Sequence, residues 1–103
     1  MIKVIVLFNL KDGVDPSEYE AWARTSDLPI VRGLDSISDF SVHRVSGLMG
    51  SDDASPYQYI EVIDVSDMAR FGEEVASETV QKQASEFQGF ADGPLFLLTE
   101  SLD

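Results

Sequence analysis

Few side chains in this 103-residue chain are of types that do chemistry, and the most suggestive of them fall on predicted strands. Arg44 closes one apolar stretch, while Tyr59 and Glu61 open the next. A hairpin centred on the loop between them puts Arg44 opposite Glu61, with Tyr59 two residues away on the same face. Trp22, from the preceding helix, would stand over this group and complete a cleft between sheet and helices. A carboxylate in a partly apolar cleft has a raised pKa and serves as a base, so Glu61 is the expected proton carrier. The Tyr59 phenol would donate a hydrogen bond to a developing oxyanion. Arg44 would orient both, or hold a ligand carbonyl or carboxylate. The plain alternative is a cross-strand ion pair with a tyrosine packed over it.

Three further residues are expected to touch a ligand: Trp22, Asp27 and Phe8. Asp27 reads first as a helix cap, with a second role at the cleft mouth. Phe8 shares a strand face with Val4 and Val6. His43, the only histidine, has the opposite parity from Arg44, and so faces away from the cleft toward a dimer barrel or an edge. One histidine and no cysteine argue against a transition-metal site. The acidic turn Ser51-Asp52-Asp53 lacks the ligand spacing of a calcium loop. No glycine-rich dinucleotide motif, phosphate loop or hydrolase elbow is present, so no cofactor is expected.

The elements that must position these residues follow from periodicity. Ile2 to Leu10 reads as a strand that is apolar on both parities. Asp15-Pro16-Ser17-Glu18 starts a helix, with Tyr19, Trp22 and Ala23 on one face. Asp27-Leu28-Pro29 restarts a short second helix that Gly33 ends. Strands are predicted from Ile37 to about Val45 and from Tyr57 to Val65, joined by the polar loop Ser46 to Pro56. Ser66-Asp67 caps the next helix, whose face is Met68, Phe71 and Val75. Its apolar stripe then slips to Ala76, Val80, Ala84 and Phe87, which predicts a break with Ser77 as a second cap. Gly89 to Pro94 reads as a loop and Leu95 to Leu102 as the last strand.

Strand, helix, strand, strand, helix, strand is the ferredoxin-like βαββαβ order, an α+β fold, and 103 residues make one domain. Helices cover one face of such a sheet, leaving Ile5, Leu7, Ile60 and Val62 on the other. Each large apolar side chain left exposed forgoes roughly 1.5–3 kcal/mol. Two copies packed face to face cover both surfaces, so a homodimer is expected.

Seven basic against nineteen acidic residues give a net charge of −12, which repels phosphate backbones and anionic lipid surfaces. Nucleic acid and membranes are therefore poor partners. The short apolar start has no cleavage-site pattern and nothing is long enough to span a bilayer, so a cytoplasmic protein is expected.

The segments Val4 to Asp15, Tyr19 to Ala23 and Asp27-Leu28-Pro29 resemble dimeric α/β-barrel proteins. More narrowly, Leu34 to Ile37, Phe40 to Gly47, Tyr57 to Ile63 and Phe87 to Glu100 resemble the RedY-like HapK family. The resemblance implies a dimeric α/β barrel with a small apolar or aromatic ligand between sheet and helices. It also implies an accessory role in clusters for prodiginine-type tripyrrole pigments. The wider superfamily includes cofactor-independent monooxygenases, polyketide cyclases and haem-degrading enzymes. Where its cyclases have histidines, this chain has Val4 and Tyr59, and Asp27 stands where many relatives have another. The readings that follow are a cofactor-independent cyclase or condensation enzyme acting on an aromatic or pyrrole-type intermediate, a non-catalytic carrier of one, or a cofactor-independent monooxygenase.

Overall fold

The first strand, β1 (Ile2–Leu10), alternates between two apolar sets rather than between apolar and polar ones. Val4, Val6, Phe8 and Leu10 are buried, while Ile5 and Leu7 on the opposite face are only half-buried. A computed structural model describes residues 2–103 and shows how the chain arranges itself about this strand.

From Pro16 the chain turns helical as α1 (Pro16–Trp22), with the Asp15 carboxylate accepting from the Ser17 backbone N–H as its cap. A five-residue π-helical turn (Ala23–Asp27) leads into α2 (Leu28–Arg32), which Gly33 ends. Then come β2 (Ile37–Arg44), β3 (Tyr59–Val65), α3 (Met68–Glu74), α4 (Glu78–Phe90) and β4 (Ala91–Glu100). The four strands form one antiparallel sheet in the order β2-β3-β1-β4. This is the ferredoxin-like α+β arrangement, with the core on the helix-covered face.

At the centre of that core the Phe8 ring meets Tyr19 at 5.5 Å, Tyr59 at 5.5 Å and Phe87 at 5.0 Å, so β1, α1, β3 and α4 converge on it. Phe8 and Tyr19 are wholly buried. Such ring pairs add roughly 0.5–1.5 kcal/mol each beyond their burial.

The expected break in the second helical segment is present. Its physical basis is the Ser77 hydroxyl, which accepts from the Val80 N–H and starts α4 with a new inward face carrying Val80 and Phe87. Apart from shifts of one or two residues at strand ends, two expectations fail. Asp27 does not cap α2: its backbone is helical and its side chain makes no capping bond, because the π-helical turn carries the helix straight through it. Gly89 to Pro94 is not a loop: α4 runs to Phe90 and β4 begins at once at Ala91, tied by Lys11 N–H to the Phe90 carbonyl. The extra residue forms a bulge opposite Leu7–Asn9, where Gly93 adopts φ 54°, a left-handed conformation that glycine reaches without strain. Replacing Ser77 with Ala removes the α4 cap and should lower unfolding free energy by about 0.5–2 kcal/mol in a urea titration.

Candidate functional site

Strand pairing decides which polar side chains meet. The β2–β3 loop closes with Val45 N–H donating to the Gln58 carbonyl at 2.8 Å. That closure sets Arg44 opposite Tyr59 and Val42 opposite Glu61. Arg44 and Glu61 therefore share a sheet face, but the expected pair between them does not form. Instead, Glu20 from α1 takes both available partners. Arg44 donates to it through Nε at 2.8 Å and Nη2 at 2.5 Å, and the Tyr59 hydroxyl donates at 2.7 Å. Arg24 adds a looser contact at 3.5 Å. The Arg44 and Tyr59 hydrogen bonds hold the Glu20 carboxyl far down, at about 2. This cluster is fully satisfied. It lies between two open grooves of about 520 Å³ and 340 Å³, the larger walled by the β2–β3 loop.

Glu61 lies elsewhere, in a smaller cavity of about 190 Å³. Most of its wall is apolar, including Val6, Val31, Phe40, Ile63 and Phe87. Phe96 of β4 is 60% exposed and stands where the cavity meets solvent. Within it are two carboxyl groups, Glu61 from β3 and Asp27 from the π-helical turn, 4% and 0% exposed. Each has one buried oxygen with no hydrogen-bond partner among the described residues: Glu61 Oε2 and Asp27 Oδ2. The other Asp27 oxygen accepts from Gln83 Nε2 at 2.7 Å. No Lys, Arg or His lines this cavity among the described residues.

The electrostatics follow from that isolation. Burial pushes the Asp27 carboxyl from its ordinary 3.8 up to about 6, with the Gln83 bond pulling the other way. Burial, and then the Asp27 charge, raise Glu61 well above its ordinary value. Nearby, the buried Tyr19 hydroxyl has no hydrogen-bond partner among the described residues, and its pKa is also raised by burial and then by the Glu61 charge. A buried polar group left unsatisfied costs roughly 1–3 kcal/mol, so the two carboxyls inside the cavity are held there against their own desolvation.

The other expected ligand contacts disperse. Phe8 is core rather than cavity wall. Trp22 packs on α4, with its ring 6.5 Å from Phe87 and 5.3 Å from Phe90, and its Nε1 donates to Glu86 at 3.3 Å. It reaches the cavity only through Phe87, which belongs to both. His43 lies opposite Ile60 on the uncovered face and contacts Ser41 Oγ at 2.9 Å. Gln83 escaped the sequence reading, although a signal was there. It sits on the stripe Val80, Ala84, Phe87, where a polar side chain must point inward. Asp27 is in register with Tyr19 and Ala23 in the same way.

A family profile described as REDY-like protein HapK matches residues 2–102. Among solved structures, HapK from Hahella chejuensis is 29% identical, with a TM-score of 0.81 over 99% of this chain and 93% of that one. Two more distant likenesses show the fold alone. SnoaB, a cofactor-independent oxygenase from Streptomyces nogalater, is 12% identical with a TM-score of 0.77 over 99% of this chain and 93% of its own. A dimeric ferredoxin-like protein of unknown function from Thermobifida fusca is 18% identical with a TM-score of 0.75 over 97% and 90%. No curated protein gives a match.

A buried acid with a raised pKa costs stability once the surroundings force it to ionise. For Asp27 the cost is absent below pH 3.8, grows up to about 6 and is complete above that. Replacing Asp27 with Asn keeps an acceptor for Gln83 and removes the charge. The variant should be more stable than wild type at pH 8, by up to about 3 kcal/mol. Its advantage should vanish near pH 4 in paired urea titrations.

Proposed function

The chain belongs to the REDY-like HapK family, and from that premise we propose a cofactor-independent cyclase or condensation enzyme of secondary metabolism. Its substrate is an aromatic or pyrrole-type intermediate, as in the formation of prodiginine-like pigments. The observation that carries this reading is the Glu61 carboxyl, buried in an apolar, aromatic-walled cavity with an unpartnered oxygen. A carrier that only shields a ring has no use for a buried acid that destabilises it. Bond making and proton transfer do. In this reading Glu61 handles the proton inside the cavity. Arg44 and Tyr59, held by Glu20, line grooves separate from that cavity on the same sheet face, where Arg44 attracts a carbonyl or carboxylate group and the Tyr59 oxygen can accept a hydrogen bond. The cavity's apolar wall favours a neutral ring over an anion.

Assembly is part of the proposal. Ile5, Leu7, Ile60 and Val62 lie on the face without helices, and β4 adds Leu95 and Leu97 there, 45% and 43% exposed. The Thermobifida fusca relative is described as dimeric. A second copy of this chain covers the same face here, burying at least roughly 1,000 Å² in total.

Three measurements test these points. Pyrrole-2-carbaldehyde, small enough for the cavity, should change Trp22 fluorescence through Phe87. The Glu61→Gln variant should keep binding it. With a substrate identified by mass spectrometry of co-purifying compounds, that variant should lose roughly 10²–10⁴-fold in turnover. Undiminished turnover would eliminate Glu61 as the proton carrier. Replacing Leu7 with Glu should convert a dimer to monomer or aggregate in sedimentation, and a monomeric wild type at micromolar concentration would falsify the assembly.

A further inference from the structure

We propose that Asp27 and Glu61 act as one acid–base pair whose roles are assigned by Gln83: Asp27 is the base, Glu61 the acid, and Gln83 the positioning residue. The proposal rests on the reading of this cavity as the ligand site, and adds the second carboxyl and the division of labour.

The geometry is asymmetric in one respect that matters. Both carboxyls line the same cavity, both are buried, and each keeps one oxygen unpartnered. Among the described residues only Asp27 accepts a side-chain amide N–H, from Gln83 at 2.7 Å. An amide donor stabilises the ionised form of the carboxylate it meets and does nothing for a neighbour it does not reach. Two like charges in one low-dielectric cavity disfavour each other, so the first proton taken up goes to the carboxyl without the donor. That carboxyl is Glu61, which accordingly is raised well above its ordinary value by burial and then by the Asp27 charge.

No other group competes for the role. From α1, Tyr19 faces both carboxyls with a hydroxyl that their charges and its burial keep protonated. From β3, Tyr59 lies two residues from Glu61, but its hydroxyl is held by Glu20. The remaining elements present uncharged side chains: Val6 from β1, Val31 from α2, Phe40 from β2, Phe71 from α3, Gln83 from α4 and Phe96 from β4. The cavity contains no cation to neutralise a second negative charge among the described residues.

Such a pair suits a neutral ligand that carries an acidic C–H or N–H beside a carbonyl. Asp27 takes the proton from carbon or nitrogen while that bond's electron pair moves to form the new double bond. The carbonyl π electrons pass to oxygen, and Glu61 hands its proton to that oxygen. The product is the enol or iminol tautomer, poised for ring closure or condensation. The pair holds one proton before and after, now on Asp27, so no co-reactant is required.

The test is a carboxyl-carbon NMR titration of the ligand-free protein. In wild type at pH 7, Glu61 should be protonated and Asp27 ionised. Gln83→Met removes the donor at similar volume. Asp27 should then titrate about one pH unit or more higher, so that its ratio of ionised to protonated form at pH 6 falls roughly tenfold. Unchanged titration in a folded Gln83→Met variant, or a wild-type proton resident on Asp27, overturns the assignment. Should that variant fail to fold, Asp27→Asn reads the same coupling: Glu61 must titrate lower without the neighbouring charge, and an unmoved Glu61 overturns the pair. Pyrrole-2-carbaldehyde is then added to wild type. Failure to bind with the titrations as expected supports the pair and removes the ligand reading, whereas binding with the titrations unmoved removes the pair alone.

Discussion

A four-stranded sheet has two faces, and this chain has helices for only one of them. The constraint is felt most at β1, which is paired on both sides and apolar on both faces. Everything on the helix side must fill the space over Val4, Val6 and Phe8, and everything on the other side must wait for a second surface. The aromatic cluster at Phe8 solves the first problem by drawing α1, β3 and α4 onto one ring. The half-buried row Ile5, Leu7, Ile60 and Val62 is what remains of the second.

The helical layer that covers the inner face is interrupted twice, and both interruptions border the cavity. Between α1 and α2 the π-helical turn widens the backbone, with Leu28 N–H reaching back to the Ala23 carbonyl. That turn ends on Asp27 and aims it inward. Between α3 and α4 the Ser77 cap resets the helical phase, so that Val80, Gln83 and Phe87 line the same space. The two local irregularities thus both border the cavity that holds Glu61.

Two carboxylate environments within one small fold make the contrast between structure and chemistry plain. Glu20 has three hydrogen bonds from cationic and phenolic donors and is held ionised, so little is left for it to do. Asp27 and Glu61 have one donor between them among the bonds described and sit in apolar surroundings, where ionisation is unfavourable. Satisfied groups stabilise the fold, whereas unsatisfied buried groups cost it stability. The fold itself does not choose among chemistries, as the likeness to an oxygenase at 12% identity illustrates. The choice lies in which side chains face the cavity.

Read by itself, the sequence determined the order of the elements, the two-faced character of β1, the helix break at Ser77 and the family. Each rests on local signals: strand parity, capping residues and runs of like residues that need no distant partner to be recognised. Glu61 was legible as a candidate because a carboxylate on an inward strand position stands out against its apolar neighbours. Its partner was not. Arg44 sits on the correct face, yet register is set by the closing pair Val45–Gln58, and Glu20 competes from a helix 24 residues away in sequence. Asp27 looked like a cap because Leu28-Pro29 looks like a helix start, and only the π-helical turn makes the backbone continuous through it. Which carboxylate is neutralised and which is left unpaired is a matter of distances between elements far apart in sequence, and only the tertiary structure decides those.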